Sequence, residues 1–116
     1  MKEQTRHNIA FSLERVAQNQ PSQTAVLASQ SGTSISFSEL NEESSRIASG
    51  LNQFGLKKGD RVLLFVPFSI KFISIAFALF KAGTVPILID PGLGKKNLLK
   101  CIEEVEPQGI IAVPIV

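Results

Sequence analysis

Arg61-Val62-Leu63-Leu64-Phe65-Val66-Pro67 is a continuous apolar run closed by a proline. Without polar alternation, the stretch Arg61 to Val66 predicts a strand covered on both faces. Lys57-Lys58-Gly59-Asp60 ahead of it is a polar turn. Ile70 to Ala82, behind it, has helical length and formers and stops at Gly83. Its polar residues Lys71, Ser74 and Lys81 keep to one narrow stripe with Ala78 between them. A helix this apolar is buried over most of its circumference and needs a packing surface besides one sheet face. Val85 to Ile89 reads as the next buried strand and Asp90 to Gly94 as a turn. Lys95 to Glu106 follows as a helix with Leu98, Cys101, Ile102 and Val105 inside. Pro107 ends that helix, and Gly109 to Val113 is a third aliphatic strand. Strand, helix, strand, helix, strand with short connections predicts right-handed βαβ units in a parallel sheet.

Before this unit, Asn8 is placed to cap a helix whose Ile9, Leu13, Val16 and Ala17 share one face, with Pro21 as its stop. Thr24 to Ala28 and Ser34 to Phe37 are short runs rich in β-formers around Ser29-Gln30-Ser31-Gly32-Thr33, a hairpin pattern. Ser38 is the expected cap of a helix striped by Leu40, Ile47, Leu51 and Phe54, which Gly55 ends. The fold class is α/β: an N-terminal β-hairpin plus a βαβαβ parallel sheet flanked by helices. One domain is expected over 1–116, with helix, hairpin and helix in 8–55 and the parallel unit in 60–116.

Composition narrows the function. The 116 residues are 44% apolar and 19% charged, and the mean hydropathy of +0.19 is high for a small domain. Some apolar surface is therefore expected to meet a partner. The net charge of +2 comes from scattered residues, with only Lys57-Lys58 and Lys95-Lys96 adjacent, which excludes the basic stripe of a nucleic-acid binder. Cys101 and His7 are single residues of their types, so neither an internal disulfide nor a zinc site follows. With no signal-peptide pattern, the expected compartment is the cytoplasm. Pro67, Lys71, Lys81, Gly83 and Pro86 interrupt the most apolar stretch before it reaches the length of a membrane span. Strand Gly109 to Val113 lacks a following helix, so the sequence is expected to be a fragment of a longer chain.

Three segments carry a family resemblance. Ile35-Ser36-Phe37-Ser38-Glu39-Leu40 resembles the first core motif of the adenylate-forming superfamily, which includes acyl-CoA synthetases, peptide-synthetase adenylation domains and luciferases. Gly55-Leu56-Lys57-Lys58-Gly59-Asp60-Arg61-Val62 resembles that family's Gly-x-x-x-Gly-Asp-x-Val turn. Leu79-Phe80-Lys81-Ala82-Gly83-Thr84-Val85-Pro86-Ile87-Leu88-Ile89-Asp90-Pro91 is similar to its second core motif, with Gly92 following. The resemblance runs from about Asn8 to Val116, and the turn after Asp90 with the helix behind it looks most like the olefin-pathway β-lactone synthetases and fatty-acyl ligases. It implies an incomplete portion of the large N-terminal domain of an ATP-dependent ligase. In such an enzyme a fatty or β-hydroxy fatty acid becomes an acyl-adenylate and then a β-lactone or an acyl-CoA. The implied cofactors are ATP and magnesium, the implied substrate a carboxylic acid, and the implied partner the remainder of the ligase chain. Self-association through exposed apolar surface, as a non-catalytic interaction module or a truncated remnant, is the alternative.

Acyl-adenylate formation needs donors that hold a triphosphate, because the oxygens involved are already anionic. The family supplies them from a Ser/Thr/Gly-rich loop, and this sequence has none. Nor does it have the later ribose-binding aspartate or the carboxyl-terminal lysine. No residue is therefore assigned a catalytic, cofactor-binding or metal-binding role, and the chain alone is expected to be inactive and to hold no cofactor tightly. Gly92-Leu93-Gly94-Lys95-Lys96 sits between a strand and a helix start, where amides favour anions, but lacks Walker spacing. It reads as a tight turn before a phosphate cradle. Asp90 is read as a turn or helix cap before a catalytic carboxylate, and Ser69 as a cap before a nucleophile, with no histidine near to activate it. Cys101 is read as a buried small hydrophobe before a reactive thiol.

Overall fold

The computed structural model describes residues 9–112. His7, Asn8, Val113 and the stretch 114–116 lie outside the described residues. Helix α1 (Ile9–Asn19) leads into strands β1 (Thr24–Ala28) and β2 (Thr33–Ser36), and helix α2 (Phe37–Phe54) into β3 (Arg61–Phe65). Helix α3 (Ile70–Lys81), β4 (Val85–Leu88), a 3-10 turn (Pro91–Leu93), helix α4 (Lys95–Val105) and β5 (Gly109–Ala112) complete the described chain.

Strands β1 and β2 pair antiparallel, with Val26 opposite Ile35 and a register break between Thr24 and Val26. The other three strands form a parallel sheet in the order β4-β3-β5. Val62 stands beside Pro86 on one side and beside Gly109 on the other. The central place of β3 decides the burial. Val62, Leu63 and Leu64 are wholly buried, each worth about 1.5–3 kcal/mol relative to exposure. Val85 and Leu88 on β4 and Ile110 on β5 are exposed, so β4 is an edge strand and not the buried strand its composition suggested.

Helix α3 lies between two clusters. Phe72, Ile75, Ala76 and Leu79 pack with Val62, Leu64, Val66 and Ile111 of the sheet. Ile70, Ile73 and Phe77 pack with Leu13 of α1, Ile35 of β2 and Leu40 of α2. The second packing surface that the helix requires is thus internal. Its polar stripe turns toward α2: Ser74 and Ala78 are fully buried, as are Ser44 and nearly so Ala48 of α2. Small side chains allow the two backbones to approach. At the ends of this contact, Lys71 Nζ bonds Glu43 Oε1 at 2.6 Å, and Lys81 Nζ donates to the Asn41 carbonyl, Asn41 Oδ1 and Ser45 Oγ at 2.8, 2.6 and 2.7 Å.

Four local expectations change. Ser36, not Ser38, caps α2: its hydroxyl accepts from the Glu39 amide while Glu39 Oε1 accepts from the Ser36 amide, a reciprocal capping box. Strand β2 accordingly ends at Ser36 and Phe37 begins the helix. Phe54 is 87% exposed although it continues the α2 stripe. Leu51 and Leu56 on either side of it pack against the cluster around Val62 and Leu64, so Phe54 points away from that core. On α1, Ala10, Leu13 and Ala17 are buried and Ile9 is exposed, a rotation of the expected face. Cys101 is only half-buried, since no residue of α4 is fully covered. Gly55 ends α2 in the left-handed region at φ 115°, as expected.

Candidate functional site

Most of the motif residues from Gly59 onward lie at the two ends of the parallel strands. At the amino edge, the Gly59 amide donates to the Gly83 carbonyl at 2.9 Å, and the Val85 amide to the Asp60 carbonyl at 2.7 Å. Asp60 Oδ2 accepts from the Lys57 amide at 2.8 Å. Gly83 has φ 78°, and a Cβ there would meet Lys58 Cγ at 3.2 Å. These contacts clamp the turn before β3 onto the turn before β4. Lys81, just inside the α3 terminus, ties that clamp to α2 through Asn41 and Ser45. Burial holds the Lys81 ammonium below its ordinary pKa, against an opposing pull from Glu14. Phe37, Glu39 and Leu40 form the first turn of α2, and Pro86 lies in β4.

In open α/β sheets ligands gather at the carboxyl ends of the strands. Here that edge carries Pro67, Phe68 and Ser69 after β3 and Ile89, Asp90, Pro91 and Gly92 after β4. A hollow of about 340 Å³ opens between them, lined by Val66, Phe68, Phe72, Leu88, Ile89, Asp90 and Pro91. Phe68 is 82% exposed and lies 5.4 Å from Phe72, ring centre to ring centre. Its other side borders a second hollow of about 330 Å³ against residues 26–30 of the hairpin and Ser69, Ile70 and Ile73. Exposed Leu27 and Leu88 make the edge largely apolar.

The polar groups of this edge are engaged in capping. Ser69 Oγ donates to the Pro67 carbonyl at 3.0 Å and accepts from the Phe72 amide at 3.1 Å. Asp90 Oδ1 accepts from the Gly92 amide at 2.9 Å. The Gly94 amide donates to the Pro91 carbonyl at 3.3 Å. The glycine turn at 92–94 therefore spends these two amides internally, while no side chain caps the helix that follows from Lys95. Among the described residues no three His, Cys, Asp or Glu side chains group as metal ligands, and no helix is long and apolar enough to cross a membrane. Sequence reasoning found Ser69 and Asp90 as caps. It missed Ser36, although Ser36-x-x-Glu39 is the capping-box spacing, and missed Asn41 and Ser45 as acceptors for Lys81, a pairing across 40 and 36 residues that no local pattern encodes.

Comparison with known proteins places this geometry. Residues 13–115 match the family model described as AMP-binding enzyme. The chain is 40% identical over 118 residues to an olefin beta-lactone synthetase of Xanthomonas campestris, a match covering 93% of this chain and 21% of the relative. It is 31% identical over 99 residues to the mitochondrial medium-chain acyl-CoA ligase ACSF2 of Rattus norvegicus, covering 85% of this chain and 16% of that one. The inhibitor-bound N-terminal domain of FACL13 from Mycobacterium tuberculosis superposes with a TM-score of 0.84 at 25% identity, over 90% of this chain and 26% of that domain. The chain thus spans about a fifth of the length of these curated relatives.

Proposed function

Because this chain belongs to the AMP-binding enzyme family, we propose that it is the amino-terminal scaffold of an ATP-dependent ligase that activates a carboxylic acid as an acyl-adenylate. The observation that carries this reading is the family match over 13–115 on a fold whose motif residues serve as clamps and caps. Enzymes of this family use ATP and magnesium, which activate the carboxylate and spread the charge on the triphosphate. The residues present do not fit that load, since the sequence holds no Ser/Thr/Gly-rich loop and the Gly92 and Gly94 amides are bonded within their turn. No step of adenylation is assigned to them. Their part is to fix β3, β4 and α3, and with them the carboxyl edge of the sheet, in one geometry.

The proposed substrate is a fatty or β-hydroxy fatty acid and the proposed compartment the cytoplasm. A β-lactone is preferred over an acyl-CoA as the final product, on the higher identity to the lactone-forming relative. In isolation the chain is inactive and holds no ATP tightly. The test uses the complete ligase: a β-hydroxy fatty acid, ATP and magnesium, with and without coenzyme A, analysed by mass spectrometry. A lactone formed without coenzyme A supports the preferred product, a coenzyme A-dependent thioester replaces it with the ligase alternative, and no acid-dependent AMP removes both. A non-catalytic interaction module is the competing reading, favoured by the exposure of Phe54, Phe68 and Leu88. It expects a 116-residue product that self-associates, which sedimentation of the purified chain detects.

A further inference from the structure

The hollow of about 340 Å³ at the carboxyl edge is apolar on nearly every side. Val66, Phe68, Phe72 and Leu88 line it, and its one charged lining residue, Asp90, already accepts from the Gly92 amide. These side chains offer no hydrogen-bond donor to a phosphate or a carboxylate, and the Asp90 charge repels both. Hydrocarbon is the chemistry such a surface selects. The volume falls within the range of ligand pockets, about 300–1,000 Å³, and the hollow opens where open α/β sheets take their ligands.

Phe68 sets its shape. The Ser69 hydroxyl donates to the Pro67 carbonyl and accepts from the Phe72 amide, and the Ile73 amide donates to the Ser69 carbonyl. These bonds hold the backbone around Phe68, while its ring is 82% exposed and lies 5.4 Å from that of Phe72. Leu88, 54% exposed, stands on another wall of the same hollow. A ring held this far into water gains by being covered, and a hydrocarbon chain laid between Phe68 and Leu88 covers both.

We infer that this hollow receives the hydrocarbon tail of the acid that the ligase activates, with Phe68 as the residue that sets the preferred chain length. The inference rests on the ligase reading, because the acid of that reading is what brings the tail. The carboxyl group reacts elsewhere, at the triphosphate-holding loop that this sequence lacks, so a hollow without free polar side chains fits the tail and not the head. Phe68 acts on specificity and takes no part in adenylation.

The experiment compares β-hydroxytetradecanoic acid with β-hydroxyoctanoic acid in acid-dependent pyrophosphate exchange by the complete ligase, unaltered and as Phe68→Ala. Each methylene taken out of water is worth about fourfold in affinity, so loss of the Phe68 wall is expected to lower the ratio of kcat/KM for the long acid over the short one by about tenfold or more, mostly through KM. Leu88→Trp narrows the hollow from another wall and is expected to move the preference to shorter chains; it carries the test should Phe68→Ala fail to fold. A ratio unmoved by Phe68→Ala, even where both rates fall together, or a preference unmoved by Leu88→Trp, overturns the inference and is the result expected if a side chain from the rest of the ligase fills the hollow. The unaltered enzyme reports the ligase reading separately: exchange with an unmoved ratio defeats only the tail site, whereas no exchange with either acid defeats the reading on which it rests.

Discussion

Ser74 lies on α3 with no accessible surface, and its hydroxyl has no hydrogen-bond partner. Burying an unpaired hydroxyl costs about 1–3 kcal/mol. Ser74→Ala removes that cost and adds about 0.5 kcal/mol of helix propensity. The void left by one oxygen, at about 24 cal/mol per Å³, returns only a few tenths of a kcal/mol. A net stabilisation of about 1–3 kcal/mol is expected, or a melting temperature raised by at least about 4 °C in a chain of this size. Ser44→Ala on the facing helix is the control, since Ser44 Oγ is equally buried but donates to the Asn41 carbonyl at 3.1 Å. Losing that bond offsets the propensity gain, so Ser44→Ala is expected to be neutral or destabilising. Urea unfolding followed by far-ultraviolet circular dichroism measures both. Destabilisation by Ser74→Ala, or equal effects of the two changes, refutes the reasoning that the α2–α3 contact is set by small side chains with one polar group left over.

Ser36→Ala is expected to cost about 1 kcal/mol through loss of the capping box, and Ser38→Ala less than about 0.5, in the same unfolding assay. Leu79→Ala, at a fully buried position between α3 and the sheet, is expected to cost about 3–5 kcal/mol and to leave the chain largely unfolded at room temperature by circular dichroism. Burial lowers the Lys81 pKa from its ordinary 10.5, so the unfolded chain binds this proton more tightly than the folded one. The Lys81 contribution to stability therefore rises with pH from the lowered folded value up to 10.5, and is flat below that window. Comparing the pH dependence of unfolding with that of Lys81→Met isolates it; a contribution that falls with pH across the window contradicts the desolvation account.

The sheet was legible because its signals are local: an apolar run from Arg61, a proline behind it and glycines at helix ends each act within a few residues. Strand order was not, although Pro86 within Val85 to Leu88 is itself a local sign that β4 is an edge strand. Helical periodicity named Leu40 and Leu51 correctly but could not say which way the last turn of α2 faces, so Phe54 was assigned to a core that Leu51 and Leu56 reach and it does not. The stripe of Lys71, Ser74 and Lys81 looks like a solvent face by chemistry, yet most of it is a helix contact, because Asn41 and Ser45 supply acceptors from another element. At the carboxyl edge, Asp90 and Ser69 were readable as caps, whereas the hollow beside Phe68 exists only once β3, β4 and the hairpin converge.

The central claim is that these residues build the scaffold of an acid-activating ligase and perform none of its chemistry themselves. Carboxylate-dependent exchange of labelled pyrophosphate into ATP, measured in parallel on the purified 116-residue chain and on the complete ligase with a β-hydroxy fatty acid, tests it most directly. The expected result is exchange by the complete ligase and none above the acid-free blank by the chain alone. Acid-dependent exchange by the 116-residue chain, or none by the complete protein, contradicts the account.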